Sequence, residues 1–258
     1  MKQFLDTALH AAAAASIPIL EYFHGSFEVE TKSDRTPVTI ADREAEIEIR
    51  RVIREVFPDH GIYGEEFGAG DRDSEYLWLV DPVDGTKSFV RGYGMFSTQI
   101  ALMHRGEIVV GVSCAPLMGE LAWASRGGGA WLDGEPLKIS AIGEVSKSSI
   151  STGNLESLAR SDQWQVLGEI IAKAYRSRGY GDFYHYHRLA AGQLDAVIES
   201  DVNILDIAAL SLIVQESGGV FSDLSGHAVG LQTRSVLAAN PGLHAKLLAS
   251  FSQSPAQK

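Results

Sequence analysis

The sequence predicts a mixed α/β (α+β) fold, because helical and strand-like spacings of apolar residues both occur and change along the chain. Segments 1–24 and 39–57 have the spacing of helices. Short apolar runs separated by turns predict a series of strands between residues 60 and 132. Beyond residue 148, predicted strands alternate with predicted helices. We therefore expect a single domain over residues 1–258, with an α+β half at about 1–140 and an α/β half at about 141–258.

The N-terminal segment is rich in alanine, and we interpret it as a helix that ends near Gly25. Acidic residues flank the alanines and no cationic leader precedes them, so a signal peptide is not predicted. Residues 27–32 alternate like a strand. Thr39 is the expected N-cap of the second helix, which Pro58 ends. The residues expected on the buried side of this helix are Ile40, Ile47, Val52, Ile53 and Val56.

The later elements follow from the same two spacings. In the first half, the glycines at 127–129 lack the strand-then-helix setting of a dinucleotide-binding loop and are interpreted as a turn. A hairpin is predicted at 104–106. The predicted strands are 60–63, 76–80, 97–103, 107–115, 119–124, 130–132, 148–152, 196–198, 218–221 and 235–239. The predicted helices of the second half are 162–174, 184–192, 204–217 and 242–250.

Composition and charge exclude several classes of protein. Hydrophobic residues make up 45% of the chain and charged residues 21%, as in an ordinary globular protein. The net charge is −11 and no basic stripe is present, so we expect no nucleic-acid partner. No apolar run is long enough to span a bilayer, so we expect no membrane partner. The single cysteine, Cys114, is interpreted as a small buried residue, which fits a reducing cytoplasmic location.

Acidic residues are concentrated at the ends of predicted strands. Asp81 and Asp84 lie in the segment DPVDGT (81–86), directly after the apolar run 76–80. Glu65 and Glu66 follow another short apolar run. Four acidic side chains would repel one another in a core, but their oxygens suit Mg²⁺ or Mn²⁺. The sequence thus predicts a metal-dependent enzyme that acts on a phosphate.

Three segments together resemble the inositol monophosphatase superfamily. They are GEE at 64–66, DPVDGT at 81–86, and LDIAA at 205–209 followed by Gly-Gly at 218–219. Their order and spacing extend over nearly the whole chain, although Leu205 stands where many members carry Trp. The resemblance implies a layered α/β/α/β/α phosphatase fold in one catalytic domain. It also implies a homodimer, the common state of family members.

The resemblance further implies a set of metal ligands. Glu65, Asp81 and the backbone carbonyl of Val83 would hold one Mg²⁺, and Asp81, Asp84 and Asp206 a second. A third, weaker ion would lie near Glu65, so two to three ions are expected, with Mn²⁺ as an alternative. Bridging carboxylates of this kind hold two ions close enough for phosphate oxygens to span both.

The same resemblance assigns the catalytic and phosphate-binding residues. Asp42, Thr86 and Glu65 are the expected catalytic set, with Thr86 and Asp42 orienting a metal-bound water of lowered pKa. From the residues alone, Asp42 is a solvated carboxylate in the first turn of a helix. Gly85 and Thr86 would bind phosphate through their amides at the start of a short helix, next to Asp84. Lys32 matches a family lysine near the phosphate, or is an ordinary surface lysine.

Segment 178–186 indicates which phosphate ester is bound. It resembles the Arg-x-x-Gly-Asp-x-x-x-Tyr pattern of the histidinol-phosphate phosphatases. Asp182 would pair with the ammonium group of that substrate, with Glu199 as a second acidic contact. Alternatively, Asp182 caps the following helix. His185 and His187 are interpreted as helix-surface residues, because Mg²⁺ prefers oxygen ligands.

The preferred prediction is a Mg²⁺-dependent phosphatase of L-histidinol phosphate. The alternative is an inositol monophosphatase or a broad sugar-phosphate phosphatase. A phosphoadenosine-type nucleotidase and a catalytically silent, metal-binding relative are less favoured.

Overall fold

The computed structural model describes residues 1–25, 29–31, 37–69 and 73–252. Its helices are α1 Lys2–His24, α2 Ile40–Val56, α3 Thr86–Val90, α4 Glu156–Ala159, α5 Gln163–Lys173, α6 Asp182–Ala190, α7 Ile204–Glu216 and α8 Pro241–Ser252. Its strands are β1 Val29–Thr31, β2 Pro37–Thr39, β3 Gly61–Gly64, β4 Gly68–Ala69, β5 Tyr76–Asp84, β6 Ser97–His104, β7 Glu107–Ala115, β8 Glu120–Ser125, β9 Ala130–Leu132, β10 Glu135–Pro136, β11 Ser149–Thr152, β12 Arg176–Arg178, β13 Ala196–Ser200, β14 Val220–Ser222 and β15 Ser235–Ala239.

The chain forms two compact units. Unit 1 comprises Met1–Glu135 and Leu205–Ile213, and unit 2 comprises Pro136–Ile204 and Val214–Lys258. A single catalytic domain with halves that meet near residue 140 stays a prediction. Among the described helices, none combines the length and the apolar character needed to cross a membrane.

Unit 1 is built on an eight-stranded sheet with the strand order β10-β9-β8-β7-β6-β5-β3-β4. Strands β5 to β8 form antiparallel neighbours, whereas β3 runs parallel to β5. The predicted hairpin between β6 and β7 is confirmed, and Arg105 and Gly106 both have the positive φ that a tight hairpin turn needs. Helices α1 and α2 pack on each other, α1 on β6 and β7, and α2 on β5. Apolar side chains of both helices and of the sheet fill the core between them.

Helix α2 begins after its predicted N-cap, Thr39, but buries a different face from the one expected. Three of the predicted core residues are exposed: Ile40 by 42%, Ile47 by 50% and Val56 by 40%. The buried residues are Ala41, Asp42, Ala45, Glu46, Ile49, Val52 and Ile53. Two acids lie on this inward face because each finds hydrogen-bond donors there. Ile47 instead lines a groove of about 640 Å³ between α1 and α2, together with Ile17 and Pro18.

Unit 2 is built on a five-stranded sheet with the strand order β12-β11-β13-β15-β14. Strand β11 runs parallel to both of its neighbours, and β15 runs antiparallel to both of its own. Helix α8 packs on β15, and α4 and α6 pack on β13. The short strand β12 was not predicted, because Arg176, Ser177 and Arg178 carry no apolar signal.

Candidate metal centre

Strand β5 carries two of the predicted ligands, and an irregularity in its pairing turns them to the same side. Asp81 pairs with Gln99 and Asp84 with Ser97, so three steps along β5 match two steps along β6. In a regular strand, side chains three positions apart point to opposite faces of the sheet. A β-bulge adds one residue and reverses that relation. The carboxylates of Asp81 and Asp84 can therefore face one common point.

The third carboxylate of this group comes from the other end of the chain. Asp206 lies in the first turn of α7, in the part of the helix that belongs to unit 1. One ligand oxygen from each of Asp81, Asp84 and Asp206 lies within 4.8 Å of the others. Hard cations such as Mg²⁺ and Mn²⁺ prefer carboxylate oxygens as ligands. These three residues, which we call the acidic triad, could therefore hold a metal ion.

The electrostatics of the acidic triad also favour a cation. Asp81 is only 2% exposed. Burial raises the pKa of Asp81 well above its ordinary value, and the negative charges of Glu65, Asp206 and Asp84 raise it further. Glu65 is also close enough to form a hydrogen bond with Asp81. Like charges gathered at a buried carboxylate are stabilised by a bound metal, so the donor set fits the ion that the sequence predicts.

Hydrogen bonds fix the backbone of the bulge. The Val83 N–H donates to Asp81 Oδ1 over 3.0 Å, and the Thr98 hydroxyl donates to the Pro82 carbonyl over 2.8 Å. On the neighbouring strand, Gln99 Nε2 donates to Ser97 Oγ over 2.8 Å, and the Ser97 hydroxyl donates to Asp84 Oδ2 over 3.3 Å. Two strands thus orient the carboxylates of Asp81 and Asp84.

Asp42 and Thr86 are brought together, as the sequence predicts for a water-orienting pair. Asp42 is buried in the first turn of α2, so its interpretation as a solvated carboxylate is wrong. Its Oδ2 accepts hydrogen bonds from the Thr39 N–H at 2.8 Å and the Thr39 hydroxyl at 2.6 Å. Burial raises the pKa of Asp42, although the two bonds from Thr39 lower it in part.

The Thr86 hydroxyl has two acceptors within reach. Its oxygen lies 3.3 Å from Asp42 Oδ1 and 2.9 Å from the Val83 carbonyl. A hydroxyl has one proton to donate and two lone pairs that accept. Whichever of the two groups accepts the hydrogen bond, the lone pairs of the Thr86 oxygen can still accept a hydrogen bond from another donor. This is the property that a residue orienting a water molecule needs.

Gly85 occupies a position that only glycine tolerates well. It is the N-cap of α3 and has φ of +88°. A Cβ at this position would lie 2.4 Å from the Met95 carbonyl oxygen. The glycine therefore allows the chain to pass from β5 into α3 without a clash.

Asp182 and Glu199, the predicted substrate residues, belong to unit 2. Asp182 is the first residue of α6, and the N-cap is Gly181. The alternative that Asp182 caps this helix stays a prediction. Asp182 has φ of +47°, in the left-handed region that Asp and Asn tolerate better than other non-glycine residues. Lys32 lies outside the described residues.

Glu199 is buried at the end of β13, where three groups surround its carboxylate. The Tyr186 hydroxyl donates to Oε2 over 2.6 Å, His185 Nε2 lies 3.2 Å from Oε2, and the Asn154 N–H donates to Oε1 over 3.2 Å. Burial alone would raise the pKa of Glu199, but His185, Tyr186 and Asn154 together lower it. Glu199 is therefore ionised inside unit 2.

The prediction that His185 and His187 lie on the helix surface is wrong, because both are fully buried. His185 lies between Glu199 and Ser151, whose Oγ is 3.2 Å from His185 Nδ1. An ionised carboxylate only accepts hydrogen bonds, so the His185 Nε2–H donates to Glu199. A glutamate directly after an apolar strand signals this network, since a buried charge requires partners.

Comparisons with known proteins agree with these observations. The model of the inositol monophosphatase family matches residues 1–256. The chain is 36% identical over 248 residues to a histidinol-phosphatase of Chlorobaculum parvum, covering 96% of each chain. It is 38% identical over 225 residues to a histidinol-phosphatase of Mycobacterium tuberculosis, covering 85% of this chain and 86% of that one. An inositol monophosphatase structure from Anabaena (Nostoc) matches with a TM-score of 0.86 at 29% identity, covering 98% of this chain and 97% of that one. The predicted fold class and the predicted family resemblance are confirmed.

Proposed function

We propose that this chain, which belongs to the inositol monophosphatase family, is a Mg²⁺-dependent phosphomonoesterase that hydrolyses L-histidinol phosphate to L-histidinol and phosphate. The observation that carries the metal-dependent part is the acidic triad of Asp81, Asp84 and Asp206, with Glu65 beside it. The observation that favours histidinol phosphate is the similarity to two proteins named histidinol-phosphatase.

Two to three ions would be held by these ligands. Glu65, Asp81 and the Val83 carbonyl would hold one ion, the acidic triad would hold a second, and a weaker third would lie near Glu65. Bound there, Mg²⁺ supplies Lewis-acid stabilisation of the phosphate oxygens and lowers the pKa of water, as Mn²⁺ also would.

The residues of the chain then position the attacking water and the ester. The Thr86 hydroxyl donates a hydrogen bond to Asp42 or to the Val83 carbonyl, and its oxygen accepts a hydrogen bond from the attacking water. The amides of Gly85 and Thr86, next to Asp84, bind the phosphate. Attack by the water oxygen forms a new P–O bond, and the bond between phosphorus and the ester oxygen breaks. The proton that the water loses balances the one that the ester oxygen takes up to leave as the alcohol.

Carboxylates of unit 2 carry the proposed specificity. Histidinol phosphate has an ammonium group, which Asp182 and Glu199 recognise by charge, whereas a polyol phosphate has none. Lys32 remains part of the proposed phosphate site. The second candidate is an inositol or broad sugar-phosphate phosphatase, which the similarity to the Anabaena inositol monophosphatase favours.

A panel of phosphate esters tests the proposed substrate. We expect kcat/KM with Mg²⁺ to be highest for L-histidinol phosphate, compared with inositol 1-phosphate and glycerol phosphate. A higher value for inositol phosphate would favour the second candidate. No turnover of any ester with added Mg²⁺ would favour a silent, metal-binding relative.

Asp182→Asn tests the proposed recognition of the ammonium group. Asn tolerates the positive φ of this position, so the variant removes the charge with little backbone strain. Loss of a charge-assisted hydrogen bond costs roughly 1.5–3 kcal/mol, so we expect about a ten- to a hundredfold fall in kcat/KM for histidinol phosphate only. Asp133→Asn is the matched control, because Asp133 also has positive φ and is exposed in unit 1. An equal loss on all esters would contradict this role.

We also propose a cytoplasmic location and a homodimeric state for this chain. Light scattering coupled to size-exclusion chromatography tests the second, with an expected mass of twice that of the chain. A monomer mass at micromolar concentration would contradict it.

A further inference from the structure

We propose that Glu46 is a positioning residue that fixes the turn carrying Glu65 and so presents the Glu65 carboxylate to the metal centre. This inference rests on the proposed function, because it concerns the same metal. Glu46 was not singled out by the sequence, where it looks like one of several acids along α2.

Glu46 is bonded to the residues that directly follow Glu65. Its side chain is fully buried on the inward face of α2. Glu46 Oε2 accepts a hydrogen bond from the Glu66 N–H over 2.7 Å, and Oε1 accepts one from the Phe67 N–H over 3.4 Å. On the other side of the turn, the Glu65 N–H donates to the Val80 carbonyl of β5 over 3.2 Å. The backbone of Glu65 is thereby held to both α2 and β5.

The turn and the Glu46 carboxylate are packed against each other. A Cβ on Gly64 would lie 2.0 Å from Glu46 Oε1, so only glycine leaves room for the Glu46 carboxylate at this position. Gly64 also pairs with Gly68 where β3 and β4 close the turn. The contact is therefore specific to this strand end.

Arg50 compensates the buried charge of Glu46. Its Nε donates to Glu46 Oε1 over 2.7 Å, and its Nη2 donates to the Gly68 carbonyl over 3.0 Å. Its guanidinium also lies over the Phe67 ring, 5.7 Å from the centroid. Glu46 and Arg50 together form hydrogen bonds to the backbone of residues 66, 67 and 68. A carboxylate that is buried, paired and bonded to two amides holds them more firmly than water would.

These hydrogen bonds matter because Glu65 lies next to other carboxylates, those of the acidic triad. Glu65 lies within hydrogen-bond distance of Asp81, so its carboxylate and those of the acidic triad repel one another when they are ionised. A turn free to move would relieve the repulsion by carrying Glu65 away from Asp81. By fixing the turn, Glu46 keeps Glu65 in place before the cation binds, which reduces the cost of ordering the ligand at that moment.

The test is Mn²⁺ binding to the full-length, metal-free protein, followed by the electron paramagnetic resonance signal of free Mn²⁺. Glu46→Gln places an amide N–H₂ where a carboxylate oxygen accepted, and Glu46→Asp keeps the charge but shortens the reach to the turn. Outer groups that orient metal ligands contribute about 10–100-fold in metal affinity. We expect the Mn²⁺ Kd to rise by about tenfold or more in Glu46→Gln and to rise clearly in Glu46→Asp. The Mg²⁺ concentration for half-maximal activity rises in parallel.

Glu48→Gln is the matched control. It makes the same chemical change on the same helix, but Glu48 is partly exposed and pairs with Arg51 at the surface. We expect its Mn²⁺ Kd to equal that of the wild type. If only the loss of charge mattered, Glu46→Asp would bind Mn²⁺ normally, which would overturn the positioning role. If Glu46→Gln fails to fold, as circular dichroism would show, the Mn²⁺ Kd of Glu46→Asp alone decides the question, because this variant keeps the charge that pairs with Arg50.

The wild type separates this inference from the proposed function. Wild-type protein that binds no Mn²⁺ would overturn the metal centre itself. Wild-type protein that binds Mn²⁺, with both Glu46 variants binding equally well, would overturn only the role of Glu46. A lower melting temperature with unchanged Kd would show that Glu46 acts on stability alone.

Discussion

Pro82 explains how two carboxylates three positions apart come to face the same point. Proline has no N–H, so it cannot donate to a neighbouring strand, and prolines within sheets are typically found at edges or bulges. Here Pro82 lies inside β5 at the bulge between Asp81 and Asp84. The sequence predicted both acids as ligands at a strand end. Their convergence could have been inferred from Pro82, but the exact pairing partners on β6 come from distant residues.

The role of the Thr86 hydroxyl can be tested by a substitution that removes only this group. Thr86→Val keeps the shape of the side chain and removes the proton and lone pairs that lie near Asp42 and Val83. Because the hydroxyl is proposed to orient the attacking water, we expect kcat to fall by about 10²-fold or more with little change in KM. Steady-state kinetics at saturating Mg²⁺ measures this.

Thr86→Ser is the matched control for that prediction, because it retains the hydroxyl. We expect its kcat to stay close to that of the wild type. A rise in KM with unchanged kcat in Thr86→Val would show that Thr86 binds the ground state of the phosphate instead.

Helices α2 and α6 show how far an element can be predicted from spacing alone. The predicted ends of both helices lie within two residues of the observed ends, but the predictions of which face is buried were wrong. In α2, Ile40 and Ile47 gave an apolar stripe, yet the inward stripe contains Asp42 and Glu46. Hydropathy gives no sign of buried acids, because it does not show their partners. These are Thr39 for Asp42, and two backbone amides and Arg50 for Glu46. Hydropathy therefore misplaces two acids that we propose to act at the metal centre.

The hydroxyl of Thr98 anchors the bulge of β5 from the neighbouring strand β6. Thr98→Val is close in shape and leaves the Pro82 carbonyl without this donor. Removing one partner of a buried hydrogen bond costs about 1–3 kcal/mol, so we expect the free energy of unfolding to fall by that amount. Because the bulge orients Asp81 and Asp84, the Mg²⁺ concentration for half-maximal activity should also rise. Urea unfolding and Mg²⁺ titrations measure both, and a stability loss without any change in the Mg²⁺ dependence would contradict the link.

An aromatic stack joins the ends of three strands of unit 1. The His60 ring lies between Phe57 and Tyr76, with centroids 4.6 Å from each, and Tyr76 stacks on His104 at 4.4 Å. The Trp78 N–H donates to His60 Nδ1 over 3.1 Å, which requires a neutral imidazole. Burial lowers the pKa of His60, and burial also lowers the pKa of His244 in unit 2.

These histidines predict a loss of stability on the acid side. Because the folded-state pKa of His60 lies below the unfolded value of about 6.5, the unfolded chain takes up a proton first as pH falls. The neutral ring makes its full contribution to the free energy of unfolding at a pH above about 6.5, and this contribution is lost as the pH falls toward the folded-state pKa. We expect the melting temperature to drop between about pH 7.5 and pH 5.5, and to drop less in His60→Asn, whose amide oxygen can accept from Trp78. An equal drop in both proteins would contradict the assignment to His60.

At the scale of the whole molecule, the metal centre combines segments that are far apart in sequence. The sequence placed Asp206 in the second half, but residues Leu205–Ile213 belong to unit 1. Gly111 of β7 makes room for α7 there, since a Cβ would lie 2.6 Å from the Ala209 carbonyl oxygen. Long-range packing of this kind leaves no local pattern, so only the resemblance to a known family predicted that Asp206 meets Asp81. A cation at the acidic triad would tie α7 to β5.

Metal binding should therefore stabilise the folded protein as well as activate it. A ligand at 100 times its Kd adds about 2.7 kcal/mol, and 1 kcal/mol shifts the melting temperature by roughly 2–4 °C in a protein of this size class. We expect saturating Mg²⁺ to raise the melting temperature of chelator-treated protein by roughly 5–10 °C and to restore activity that the chelator abolished. Asp84→Asn should reduce both effects, because it removes one charge of the acidic triad. Asp133→Asn, an exposed change of the same kind in unit 1, should reduce neither. Full turnover in metal-free buffer would contradict the metal centre, and activation without stabilisation would place the ion away from the acidic triad.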